Sequence, residues 1–126
     1  MRGLILLFLG AFLGASLTAA EPVEIKVEAA ASLLAEGEGV TVLDIRTPEE
    51  FAEGHLAGAK NLDFTEGDFE ERLAQLDRSK PYLVHCASGR RSSQAMEVFK
   101  KLRFTRIHHL VDGYKGWVDA GNAVVK

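Results

Sequence analysis

The chain has 126 residues, enough for one domain and not for two. Hydrophobic residues make up 47% of it, an ordinary value for a protein with a buried core, and the formal net charge is −3. The mild negative charge and the lack of a basic stripe in the sequence argue against a nucleic-acid surface.

The first predicted element is a secretory signal peptide over residues 1–20. A cationic start at Arg2, an apolar run over 4–13 and small residues up to Ala20 follow the three-part plan of such a leader. The apolar run is shorter than the roughly 20 residues that span a membrane, and an uncleaved signal-anchor stays the alternative. We therefore expect a protein exported to the periplasm or secreted, free of the membrane after cleavage, with its domain over 21–126.

Strands alternate with helices along the rest of the chain. Short β-branched runs predict buried strands, and apolar residues at helical spacing predict helices. The predicted strands are Val23–Val27, Val40–Ile45, Ala59–Leu62, Tyr82–His85 and Ile107–Leu110. The predicted helices are Glu28–Glu36, Pro48–Glu53, Asp68–Leu76, Ser92–Phe104 and Tyr114–Ala120. This alternation is typical of an α/β domain with a mainly parallel central sheet flanked by helices on both faces.

One helix start has a strong local signal. Thr47 can cap the helix, Pro48 suits its first position, and Glu50 stands three residues after Thr47. This pattern predicts a capping box that begins a helix of about two turns, ended by Gly54.

The only cysteine, Cys86, stands directly after a predicted strand and before a predicted helix. One cysteine cannot form an internal disulfide, although an exported protein meets an oxidising compartment. The thiol is therefore either buried and inert or kept for chemistry. The polar loop around Cys86 favours an exposed, reactive thiol.

The position of Cys86 predicts an activated sulfur within an anion-binding loop. Ligands bind beyond the carboxyl ends of parallel strands, and a helix start offers unpaired N–H groups and partial positive charge. Arg90 and Arg91 add charge, Gly89 lets the backbone curl, and Ser92 can donate a hydrogen bond. We expect these groups to lower the pKa of Cys86 and to hold an anionic, electrophilic substrate for nucleophilic attack.

Two chemistries use such a loop: phosphate-ester hydrolysis through a cysteinyl phosphate, and sulfane sulfur transfer through a cysteine persulfide. A phosphatase places five residues between its cysteine and its arginine. Here four residues separate Cys86 from Arg91: Ala87, Ser88, Gly89 and Arg90. Ser92 stands where a phosphatase needs its arginine. The shorter loop leaves less room for a phosphoryl group than for one extra sulfur atom, so sulfur transfer is favoured.

Three motifs, spaced over nearly the whole of 21–126, resemble the rhodanese (sulfurtransferase) family in its single-domain form. "CASGRRS", from Cys86, matches the Cys-x-x-Gly-x-Arg-Ser active loop at all four fixed positions. "LDIRTPEEFAEGHLAGAKNLD", from Leu43, resembles the first family signature. "DGYKGW", Asp112 to Trp117, resembles the C-terminal signature, with Asp112 in place of its first glycine.

The resemblance implies a two-step reaction without a cofactor. The Cys86 thiolate takes the outer sulfur of an anionic donor such as thiosulfate, and cyanide, a thiol or a sulfur-accepting partner protein then takes it away. Backbone N–H groups of the loop would hold the persulfide, and Arg90 would attract the donor. The candidate substrate-binding residues are Ala87, Ser88, Gly89, Arg90, Arg91 and Ser92.

Several charged or ring-bearing residues receive plainer interpretations. We expect Arg91 to brace the loop, with Asp44 as its candidate partner. His85 should point away from Cys86, so no Cys–His pair is predicted. His108 and His109 face opposite sides of a strand, so no metal site is predicted. The default expectation for the oligomeric state is a monomer, and a persulfide carrier or sensing module with little thiosulfate turnover stays an open alternative.

Overall fold

A parallel sheet lies at the centre of the computed structural model, which describes residues 20–126. Its strands are β1 Val23–Ile25, β2 Thr41–Asp44, β3 Lys60–Asn61, β4 Tyr82–His85 and β5 Ile107–Leu110. They lie in the order β1-β5-β4-β2-β3, and every pairing between neighbours is parallel. The predicted signal peptide lies outside the described residues except for Ala20, and the predicted parallel sheet is confirmed.

Helices cover both faces of this sheet, as predicted. The helices are α1 Val27–Glu36, α2 Pro48–Glu53, α3 Phe69–Leu73, α4 Arg90–Lys101 and α5 Gly113–Asp119. α3 and α4 contribute Leu73 and Phe99 to the core on one face, while α1 and α5 contribute Ala30 and Trp117 to the core on the other.

Successive side chains of β4 pack alternately into the cores on the two faces of the sheet. Val84 packs with the α3 and α4 residues, and its neighbour Leu83 packs with the α1 and α5 residues. Each is fully buried, and burying an aliphatic side chain of this size contributes about 1.5–3 kcal/mol to folding. Because β4 is the central strand, its carboxyl end meets loops from both sides of the sheet.

The predicted capping box at the start of α2 is confirmed. The Glu50 N–H donates to Thr47 Oγ1 at 3.2 Å, and the Thr47 N–H donates to Glu50 Oε1 at 3.1 Å. Pro48 follows as the first helical residue. A capping side chain of this kind stabilises a helix by about 1 kcal/mol.

α4 begins two residues earlier than predicted. Gly89 is its N-cap, with a φ of 95° that L side chains rarely adopt, so the chain turns directly into the helix at Arg90. Arg90 and Arg91 therefore belong to the first helical turn rather than to the loop. In the stretch 20–126, none of the helices combines the length and the apolar character needed to cross a bilayer.

Candidate active site

Cys86 lies at the carboxyl end of the central strand β4, directly before the turn that starts α4. Its side chain is 1% exposed. The expectation of an exposed thiol is therefore wrong: the side chain turns inward, toward the face of the sheet that α4 covers. Burial alone is typical of an unreactive thiol, so the reactivity of Cys86 depends on the polar groups that contact its sulfur.

Those contacts are hydrogen-bond donors from the following turn. The Gly89 N–H donates to Cys86 Sγ at 3.1 Å, and the Ser92 N–H donates to it at 3.4 Å. Ser92 Oγ lies 3.3 Å from the same sulfur. The amides at the helix start are thus aimed at Cys86, as the sequence predicted.

Two opposing effects set the pKa of Cys86. Burial raises it, because an apolar environment disfavours the charged thiolate. Hydrogen bonds from the Ser92 side chain and from the backbone amides of Ser92, Ser88 and Gly89 lower it, and together they outweigh burial. The pKa of Cys86 therefore lies below that of an ordinary thiol. The causes that lower the pKa are hydrogen bonds, whereas the sequence also predicted a contribution from the charges of Arg90 and Arg91.

The first turn of α5 hydrogen-bonds to the backbone at the end of β4, where Cys86 and Ala87 lie. The Tyr114 N–H donates to the Cys86 carbonyl at 2.8 Å, and the Lys115 N–H donates to the Ala87 carbonyl at 2.9 Å. A Cβ on Gly113 would lie 2.5 Å from the Ala87 oxygen, so only glycine permits this approach. Sequence reasoning missed this role, although the "DGYKGW" motif was its visible signal.

Arg91 braces the loop, but with a different partner from the one predicted. Its guanidinium binds Glu50 in a bidentate pair, with N–O distances of 2.7 and 2.9 Å. Asp44 is instead held by Arg46, whose Nη2 lies 2.6 Å from Asp44 Oδ2. The Asp44 pairing is therefore wrong, because the capping glutamate of α2 is the carboxylate that faces the start of α4.

The Arg91–Glu50 pair predicts an acid-sensitive contribution to stability. Hydrogen bonding to Arg91 lowers the pKa of Glu50 from the usual 4.5 to about 2. A lowered folded-state pKa gives stability that is present above the unfolded value and is lost as the pH falls from about 4.5 to about 2. Because both side chains are partly exposed, solvent screening limits the contribution to about 1 kcal/mol.

Urea denaturation as a function of pH checks this prediction. Glu50→Gln should reduce the loss of unfolding free energy between pH 4.5 and 2, and Glu49→Gln, on an exposed site of the same helix, should not. Equal pH dependence in both variants would show that the ion pair contributes nothing.

The structure brings only part of the predicted binding set to the sulfur. Ser88, Gly89 and Ser92 supply hydrogen bonds to Cys86. Ala87 is half-buried, while Arg90 is exposed. Within residues 20–126, no group of three or more His, Cys, Asp or Glu side chains is arranged to hold a metal ion.

His109 also belongs to the site, although the sequence predicted only that it lies on a strand. His109 on β5 is fully buried, and its Nε2 lies 2.7 Å from Ser92 Oγ. His85 carries its ring on the other side of the sheet, stacked on Tyr114, so it points away from the Cys86 sulfur, as predicted. The sequence predicted that His108 and His109 face opposite sides of the strand, but it did not predict the contact of His109 with α4.

Comparison with known proteins finds several relatives that are at least 30% identical to this chain. The chain is 34% identical over 110 residues to thiosulfate sulfurtransferase 16, chloroplastic, of Arabidopsis thaliana, covering 79% of this chain and 90% of that protein. It is 31% identical over 94 residues to YrkF of Bacillus subtilis, whose name proposes a sulfur carrier protein, covering 75% of this chain. The chain spans only 50% of the length of YrkF and 59% of that of a second Bacillus subtilis relative, YqhL.

Solved structures agree with the observed fold. The crystal structure of a rhodanese-related protein from Thermoplasma volcanium matches with a TM-score of 0.69 and 31% identity, covering 82% of this chain and 97% of that one. The family model described as "Rhodanese-like domain" matches residues 26–120, which include every helix and nearly every strand described above. The chain therefore belongs to the rhodanese-like domain family.

Proposed function

We propose that this chain is a sulfurtransferase that moves a sulfane sulfur from a small anionic donor, such as thiosulfate, to cyanide or a thiol through a persulfide on Cys86. The observation that carries the proposal is the sulfur of Cys86, which accepts hydrogen bonds from backbone amides at the start of α4 and lies 3.3 Å from the Ser92 hydroxyl oxygen. Membership of the family and the relative named thiosulfate sulfurtransferase support it.

The first step loads the protein. The Cys86 thiolate attacks the outer sulfur of thiosulfate, and a new sulfur–sulfur bond forms. The bond between the two thiosulfate sulfurs breaks, and sulfite leaves with its electron pair. The lowered pKa of Cys86 favours this step, because the thiolate and not the thiol is the nucleophile.

The second step returns the free thiolate. Cyanide or an acceptor thiolate attacks the outer sulfur of the persulfide, and the sulfur leaves as thiocyanate or as a new persulfide. The Cys86 sulfur departs as a thiolate, which the Gly89 and Ser92 amides stabilise again. A covalent intermediate of this kind predicts ping-pong kinetics.

Two observations bear on the donor. Cys86 is 1% exposed, which favours a small donor over a bulky one. Arg91 is neutralised by Glu50, so exposed Arg90 is the arginine of the first turn of α4 that is left to attract an anion. Electrostatic attraction of thiosulfate therefore rests mainly on Arg90.

The test compares two assays on the same preparation. Thiosulfate and cyanide should give thiocyanate, and a general phosphatase substrate should be left unhydrolysed. Phosphate release without thiocyanate formation would contradict the proposal. The structure gives a reason to expect no phosphatase activity: Ser92, at the position of the phosphatase arginine, is fully buried and uncharged.

A persulfide carrier that serves a partner protein is the second candidate. The neutralised Arg91 and the similarity to YrkF favour it. Weak thiosulfate turnover together with ready loading of Cys86 from a persulfide donor would select the carrier over the thiosulfate enzyme.

For either role we propose an exported protein released by cleavage after Ala20, and N-terminal sequencing of the mature chain should begin at Glu21.

A further inference from the structure

The Ser92 hydroxyl is the meeting point of three polar groups in a fully buried place. Its oxygen lies 3.3 Å from Cys86 Sγ, 3.2 Å from the Gly89 carbonyl oxygen and 2.7 Å from His109 Nε2. The hydroxyl carries one hydrogen and can donate it to one of them at a time. The position of that hydrogen decides whether the sulfur gains the hydroxyl as a donor in addition to the backbone amides.

The Gly89 carbonyl oxygen already accepts two other hydrogen bonds. The Ser93 N–H donates to it at 2.9 Å, and the Ser93 hydroxyl donates to it at 2.7 Å. A carbonyl oxygen has two lone pairs, so it gains little from a third donor. The Ser92 hydrogen is therefore left with the sulfur or with His109 as its acceptor.

The other ring nitrogen indicates the tautomer of His109. Nδ1 is buried and has no hydrogen-bond partner among the described residues. An unpaired buried N–H is rarer in proteins than an unpaired acceptor, so the hydrogen belongs on Nε2. Burial also lowers the pKa of His109, which keeps the ring neutral. Glu24 on β1 lies beside His109, and His85 on β4 acts on it from the other side of the sheet; neither hydrogen-bonds to the ring.

We propose that His109 is a positioning residue: its Nε2–H donates to Ser92 Oγ and thereby directs the Ser92 hydrogen to the Cys86 sulfur. A thiolate is a stronger acceptor than a neutral carbonyl, so the arrangement is strongest when Cys86 is ionised. The importance of this effect for sulfur transfer rests on the function proposed above, but the effect on the thiol does not.

The test measures the pKa of Cys86 from the ultraviolet absorbance of the thiolate, which the single cysteine makes unambiguous. His109→Leu removes the donor and should raise the pKa by about half a unit to one unit. His109→Gln keeps an N–H group in that region and should restore most of the shift. His108→Leu, on the same strand but on the opposite face, is the matched control and should leave the pKa unchanged.

A double-mutant cycle separates positioning from a general structural effect. If His109 acts through Ser92, then His109→Leu should change the pKa little in a Ser92→Ala background. Equal effects of His109→Leu with and without the Ser92 hydroxyl would overturn the inference, as would an unchanged pKa in a folded His109→Leu protein. If His109→Leu does not fold, His109→Gln against shorter His109→Asn makes the same comparison, and equal pKa values in these two would contradict it.

The same variants keep this inference distinct from the proposed function. A raised pKa in His109→Leu, together with no persulfide on the wild-type protein, would end the proposed function and leave the positioning role intact. A persulfide on the wild-type protein, with unchanged pKa values in the variants, would end the positioning role and leave the proposed function intact.

Discussion

Cys86→Ser should lower the rate of thiocyanate formation from thiosulfate and cyanide by at least about a thousandfold, because a serine oxygen cannot form the persulfide. The two side chains are similar in size, and the position is buried, so the fold should persist. Steady-state kinetics measure the loss, and circular dichroism checks the fold.

Ser88→Ala is the matched control for this experiment. Its side chain is exposed, and Ser88 contributes to the Cys86 pKa through its backbone N–H. We expect the rate to stay within about twofold of the wild type, since surface changes of this kind have small effects. Full activity in Cys86→Ser would remove Cys86 from the mechanism.

Gly89→Ala is expected to damage both stability and activity. A Cβ at this position would lie 2.2 Å from the Val111 carbonyl oxygen, and the φ of 95° is unfavourable for any L side chain. Relief of the overlap must move the backbone whose N–H binds the Cys86 sulfur. We expect a loss of about 3 kcal/mol or more in the free energy of unfolding, and a large fall in activity.

Gly58→Ala separates the cost of the positive φ from the cost of the steric overlap. Gly58 has a φ of 73°, but nothing lies within 4 Å of a Cβ built there. It should lose only the backbone term of about 1–2 kcal/mol and keep its activity. Urea denaturation gives both values, and equal losses for the two variants would show that the close approach to Val111 has no cost of its own.

Local sequence signals predicted most of the fold. The capping box of Thr47 and Glu50 is written within four residues, and the apolar runs of β2 and β4 reflect burial on both faces of the sheet. The start of α4 was misplaced by two residues because Gly89 enters the helix through a left-handed conformation that the sequence permits but does not require.

The parts of the site that the sequence could not predict depend on contacts between distant residues. Arg91 and Glu50 are 41 positions apart, and the choice between Glu50 and Asp44 depends on how α2 sits against α4. The contact of His109 with Ser92 depends likewise on how β5 meets α4. The burial of Cys86 was missed because a polar loop in sequence can still fold its backbone over the sulfur.

The most direct measurement of the central claim is the intact mass of the protein after treatment with thiosulfate. The account predicts a gain of one sulfur atom, lost on addition of a reductant and absent from Cys86→Ser. An unchanged wild-type mass after treatment with thiosulfate and with a persulfide donor, or the same gain in Cys86→Ser, would contradict it.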